Sequence, residues 1–192
     1  MAISQVRGRT WTLTTTLVTI ATVVLVGFRF GLGPQAPAFC LLAAVAVPLA
    51  FFDAREYRLP DVVTLPSYPA CLLLLGAAAP FVSGGAARFV HAVTGMAAAV
   101  AFCLLLMLVS GGGLGPGDVK LAGPLGACLG WLGAAAFAAG MMAAWLLAAV
   151  TGVALIAAGR ATRKTHIPFG PFLVAGALGT VLASGLVPAL AH

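Results

Sequence analysis

A chain of 192 residues in which 62% are hydrophobic and only 7% charged lies far from the roughly 25% charged content of soluble domains, and its apolar blocks recur at bilayer-crossing lengths. This excludes a soluble globular enzyme and points to an all-α, polytopic membrane helical bundle. The net charge of +6 does not indicate nucleic acid, because the basic residues are spread over loops and form no run with interleaved aromatics.

Spans of about twenty residues between charged or Gly/Pro-rich breaks give about seven transmembrane helices, with six to eight compatible. The first, about 12–30, follows Arg7 and Arg9; it is long for a signal-peptide core and lacks a small-x-small cleavage site, so it reads as a retained span. The others are about 35–52, 62–82, 89–109, 119–132, 134–158 and 169–187. The fifth is short and glycine-rich, and its join to the sixth falls near Gly130, Trp131 and Gly133. Gly126 and Gly130 present a small-residue face of the kind that lets helices approach closely, read here as packing within one chain. No internal repeat and no separate soluble domain is evident. The four cysteines, Cys40, Cys71, Cys103 and Cys128, sit in different apolar stretches without zinc-ligand or disulfide spacing, so they read as small packing residues.

Cytoplasmic loops carry the excess of positive charge. With the N-terminus inside, Arg7, Arg9, Arg55, Arg58, Lys120, Arg160, Arg163 and Lys164 fall on the cytoplasmic side, and Arg29 and Arg88 outside. The same path puts all four acids, Asp53, Glu56, Asp61 and Asp118, on the cytoplasmic side. A carboxylate at hydrocarbon depth costs at least ~2.5 kcal/mol, so one that persists has a partner or a function. Asp53 closes the second span and Asp118 opens the fifth, so two carboxylates reach one membrane depth from different helices.

Three motifs border these spans. In FDAREYRLPDVVTLP (52–66), Pro60 hands over to the third helix, and Asp61 suits the positive end of that helix's dipole. Asp53 either pairs with Arg55 or Arg58 in a solvated loop or serves chemistry. In SGGGLGPGDVKLAG (110–123), Gly115 and Gly117 let the backbone approach closely beside Asp118. The phosphate-loop pattern GxxxxGK[ST] is missing there, and a carboxylate repels phosphate. In THIPFGPFLVAG (165–176), Pro168 and Pro171 flank Gly170 at the start of the last span, and His166 is read as polar loop.

Together FDAREYRLPD, GPGDVKL and IPFGPFL resemble the prepilin peptidase family, the type IV leader peptidases, which are GxGD-type intramembrane aspartic proteases. The resemblance covers about 52–176. It implies that Asp53 and Asp118 are the catalytic pair, that Gly115 and Gly117 shape the site, and that Asp61, Lys120, Pro168, Gly170 and Pro171 support it; by charge, Arg55, Arg58 or Lys120 is expected to attract an acidic residue early in the mature substrate. It implies cleavage of type IV prepilins or pseudopilins after a glycine, on the cytoplasmic side of the inner membrane, with a short basic leader removed. It sets residues 1–34, a cytoplasmic stub plus an extra helix, apart from a peptidase-like membrane domain at 35–192. The paired-cysteine N-terminal portion associated with N-methylation in the larger members has no counterpart in this sequence, so a single-function peptidase is expected. No metal or organic cofactor is indicated; the partners implied are the prepilin and the lipid bilayer, with oligomeric state left open. The alternatives from other classes are a proton-coupled small transporter, with its carboxylates nearer mid-membrane, and a structural membrane subunit, which leaves the three motifs without a role.

Overall fold

The computed structural model describes residues 2–56, 60–109, 114–160, 162 and 168–184, and among them the chain forms seven α-helices and one 3-10 turn. These are α1 (Ala2–Phe30), α2 (Ala36–Glu56), α3 (Asp61–Ala78, continued by the turn Ala79–Phe81), α4 (Gly85–Val109), α5 (Pro116–Leu132), α6 (Ala134–Ala157) and α7 (Gly170–Ala183). They follow the seven expected spans in order. Arg58, Arg163, Lys164, His166, the glycines at 111–113 and the end of the last expected span lie outside the described residues.

Two differences from the expected spans have local causes. Helix α1 begins ten residues before the expected 12, at Ala2, because the stretch ahead of the apolar block contains no proline to stop it. Helix α2 runs one turn past Asp53 to Glu56, so Asp53 sits inside the last turn rather than after it. Pro48 in α2, Pro66 and Pro69 in α3, and Pro124 in α5 all lie within helices. Such breaks are tolerated where neighbouring helices and hydroxyl side chains re-satisfy the backbone. In α3, Thr64 Oγ1 donates to the Pro60 carbonyl at 3.0 Å and Ser67 Oγ to the Thr64 carbonyl at 2.6 Å, bonds of the same turns that do not reach the Val62 and Leu65 carbonyls left by Pro66 and Pro69.

Five helical stretches, 10–30, 36–56, 61–81, 85–109 and 134–157, are long and apolar enough to cross a bilayer, which makes this a multi-pass membrane protein. Helices α5 and α7 are shorter, at 17 and 14 residues. Helix α5 is the axis of the bundle: 14 of its 17 residues are buried, so its backbone meets protein on nearly every side. Its fit against α4 depends on missing side chains. A Cβ at Gly126 would stand 2.5 Å from Ala99 Cβ and 2.6 Å from the Gly95 carbonyl oxygen, and one at Gly95 would stand 2.6 Å from the Gly126 oxygen. The small-residue face thus packs helices within the chain. On other sides Cys128 Sγ meets Cys71 Sγ of α3 at 3.4 Å, and Leu129 packs over Gly140 of α6. Gly133 separates α5 from α6 with φ 119° and ψ 169°, a conformation essentially restricted to glycine.

Helix α1 lies on the outside against α2. Trp11 meets Phe51 edge-on at 5.5 Å, and Phe30 stacks on Phe39 at 4.3 Å. Along it the exposed Thr14 and the part-buried Thr15, Thr19 and Thr22 donate their hydroxyls to carbonyls one turn back at 2.7–3.0 Å. Those hydroxyls therefore need no water.

Candidate active site

The C-terminal turn of α2 and the N-terminal turns of α5 and α7 meet at one end of the bundle. Asp118 is the third residue of α5, and its Oδ2 reaches back to accept the Gly115 N–H at 3.2 Å. This is the back-bonding half of a capping box, with aspartate in the place of the usual glutamate. Gly115 adopts an extended conformation at the cap, and Pro116 follows at the first helical position, where its missing N–H costs nothing. The Gly-Pro-Gly-Asp run is thus a helix start that anchors its own carboxylate. Asp118 is 5% exposed, and its Oδ1 is buried without a hydrogen-bond partner.

Asp53 is 6% exposed, far from a solvated loop. Its Oδ2 accepts the backbone N–H of Gly170 at 3.0 Å, across 117 positions of sequence. Gly170 opens α7, so this carboxylate sits at the positive end of a helix dipole, which favours negative charge. A Cβ on Gly170 would stand 2.7 Å from that Oδ2 and 3.0 Å from the carboxyl carbon. Only glycine allows the approach. Asp118, held by the Gly115 N–H, and Asp53, held by the Gly170 N–H, thus enter the same end of the bundle from different helices, both buried.

The neighbouring expected positions divide. Arg55 does not pair with Asp53; its guanidinium lies 5.5 Å from the centre of the Trp11 ring, and its Nε is 4.0 Å from Glu56. Arg58 lies outside the described residues. Asp61, in the first turn of α3, accepts from Lys120 Nζ at 2.7 Å, tying α3 to α5 two residues beyond Asp118. Pro168 and Pro171 flank Phe169 and Gly170, and Phe169 is held by Trp145 of α6 with ring centres 4.5 Å apart. Gly117 lies in the first turn of α5 beside Asp118.

Tyr68 was not anticipated. Its hydroxyl donates to the Lys120 carbonyl at 2.7 Å, and its ring occupies the space a side chain at Gly123 would need. It gives α3 a second hold on the turn that presents Asp118. One tyrosine in an apolar run carries no pattern that marks it for this.

Beside the carboxylates an apolar groove of about 370 Å³ runs between α1, α2 and α7, with Val18, Phe51, Ala54, Pro171 and Val174 among its walls. Ala54 and Pro171, the chain neighbours of Asp53 and Gly170, line the groove, so it passes beside the two helix ends that carry them.

Residues 40–158 match the sequence model of the type IV leader peptidase family. The chain is 37% identical over 165 residues to a prepilin leader peptidase/N-methyltransferase of Pseudomonas aeruginosa, covering 82% of this chain and 54% of that protein. Proteins of the same description from Xanthomonas campestris and Aeromonas hydrophila are 34% and 38% identical, covering 76% and 69% of this chain. The chain spans about half the length of these relatives, 50% and 44% in the last two. No solved structure matches it. The family match includes Asp53 and Asp118 and ends before Gly170.

Proposed function

This chain belongs to the type IV leader peptidase family, and we propose that it is an intramembrane aspartic endopeptidase whose catalytic pair is Asp53 and Asp118. The observation that carries the reading is that two buried carboxyl groups from different helices are presented at one end of the bundle, Asp53 on the Gly170 N–H and Asp118 on the Gly115 N–H. Carboxylates held this close cannot both ionise easily, so the pair keeps one proton and titrates as a unit. The ionised member takes a proton from water as the water oxygen attacks the scissile carbonyl carbon. The protonated member donates to the carbonyl oxygen, and a proton passes to the departing amine nitrogen as the C–N bond breaks. The Gly115 and Gly170 amides each hold one carboxylate oxygen, and the unpartnered Oδ1 of Asp118 is available to the water or to the shared proton.

The substrate of this reading is a type IV prepilin or pseudopilin, cut after a glycine that ends a short basic leader. The apolar groove beside Asp53 suits the hydrophobic helix that follows the cut. The expected path, which groups eight of the ten basic residues with the carboxylates, supports a site and N-terminus that face the cytoplasm across the inner membrane. A positive leader then stays on the cytoplasmic side while lipid holds the rest. Residues 35–192 form the peptidase body, and residues 1–34 add α1 as one wall of the groove.

The test is cleavage of a prepilin in reconstituted vesicles by wild type, Asp53→Asn and Asp118→Asn, each checked for folding. Wild type should cut after the leader glycine and both variants should be inert. Normal cleavage by either folded variant rejects the two-carboxylate mechanism.

A further inference from the structure

Arg29 and Arg88 are the two basic residues that the distribution of charge leaves on the face opposite the carboxylates. They come from distant positions, the last turn of α1 and the first turns of α4, yet both line one cavity of about 200 Å³. Gln35, just before α2, Leu132 at the end of α5, and Ser184 after α7 complete its wall. The cavity therefore lies at the far end of the bundle, roughly 27 Å along α2 from Asp53 at 1.5 Å per residue.

The polar groups around this cavity are incompletely satisfied. Arg29 Nη2 donates to Ser184 Oγ at 3.3 Å, and the guanidinium lies over the Phe30 ring at 5.1 Å, but Arg29 Nε is buried without an acceptor among the described residues. Gln35 Oε1 is buried without a donor. None of the four acidic side chains can neutralise the arginines: Asp53 and Glu56 end α2, Asp61 opens α3, and Asp118 opens α5, all at the other end of the bundle. Two guanidinium groups facing one recess at headgroup depth call for an anion, and planar N–H forks match phosphate oxygens two at a time.

We propose that this cavity binds a phosphate-bearing anion, held by Arg29 and Arg88. An anionic phospholipid headgroup supplies that chemistry at this depth, as basic pockets between transmembrane helices do elsewhere, and free phosphate is the other source. A headgroup hydroxyl beside the phosphate would also satisfy Gln35 in either orientation of its amide.

The experiment compares thermal unfolding of wild type and Arg88→Gln in neutral detergent with added dioleoylphosphatidylglycerol, dioleoylphosphatidylcholine or sodium phosphate, against sodium chloride of equal ionic strength. Wild type should be stabilised by several degrees by phosphatidylglycerol and not by phosphatidylcholine. In Arg88→Gln the apparent affinity for phosphatidylglycerol should fall about tenfold or more, the loss expected for a charged hydrogen-bonding partner. A phosphate response that depends on Arg88, without one to phosphatidylglycerol, assigns the site to the free anion. Equal responses of wild type and variant to both phosphatidylglycerol and phosphate, or equal effects of the two lipids with no Arg88-dependent phosphate response, overturn the proposal. Should Arg88→Gln fail to fold, Arg88→Lys, which keeps the charge without the fork, is read instead: its affinity should lie below wild type, and an unchanged value overturns the proposal.

Discussion

Replacing Gly170 by alanine separates the support of Asp53 from the stability of the fold. The added Cβ would stand 2.7 Å from Asp53 Oδ2, against the 3.5 Å or so of an ordinary contact, so the carboxylate must retreat by about 0.7 Å or more. The N–H···O distance, 3.0 Å in the native chain, then passes the limit of a useful hydrogen bond. A hydrogen bond to a charged group is worth about 1.5–3 kcal/mol. If the transition state uses that bond fully, kcat/KM for prepilin cleavage falls about 10- to 150-fold. Helix α7 itself tolerates the change, since alanine is favoured over glycine in helices by no more than about 1 kcal/mol. Cleavage in reconstituted vesicles and thermal unfolding in detergent, measured on the same preparation, give the two readouts. A folded Gly170→Ala protein that cleaves at the wild-type rate refutes the role assigned to this amide.

Three further outcomes are expected. Gly126→Val forces methyl groups into the space held by Ala99 and the Gly95 carbonyl, so it should destabilise the protein by about 3 kcal/mol or more, seen as a lower unfolding temperature or lost expression; near-wild-type stability would contradict the close α4 and α5 packing. Val174→Trp narrows the groove beside Asp53 without touching either carboxylate, so it should raise KM for a full-length prepilin more than for a short soluble leader peptide; equal effects would place the apolar helix elsewhere. Lys120→Glu should slow cleavage of a pilin with an acidic residue early in its mature part more than cleavage of its neutralised variant. Breaking the exposed Lys120–Asp61 pair itself should cost no more than about 1 kcal/mol of stability, and equal slowing of both substrates would restrict Lys120 to a structural role.

The fold was legible, and the two candidate carboxylates could be singled out, for one reason. In a chain this apolar a carboxylate is expensive to keep, so Asp53 and Asp118 stood out against their surroundings, and span boundaries followed charge and glycine closely. The cap between Gly115 and Asp118 is local, yet the run read as room for close backbone approach rather than as a cap. What remained hidden depends on contacts distant in sequence. IPFGPFL read as a helix start, and nothing near Gly170 announces that its N–H meets a carboxylate 117 residues away. Asp61 and Lys120 were both marked as supporting residues, but their pairing joins two helices and leaves no periodic trace. The convergence of Arg29 and Arg88 was hidden in the same way, as two exceptions to a charge rule.

The glycines and proline that fit α5 into the centre of the bundle also bear on how the protein is assembled. A 17-residue segment with Gly123, Pro124, Gly126 and Gly130 is a weak candidate for release into lipid by itself, whereas the 25-residue α4 before it is long and strongly apolar. Helix α5 gains its contacts only once α4 offers Gly95 and Ala99 to receive it. Asp118 is therefore delivered late, with a helix that waits on its neighbour. A partly made chain carries Asp53 alone, so the carboxylate pair proposed to act in hydrolysis is complete only once α5 has joined the bundle.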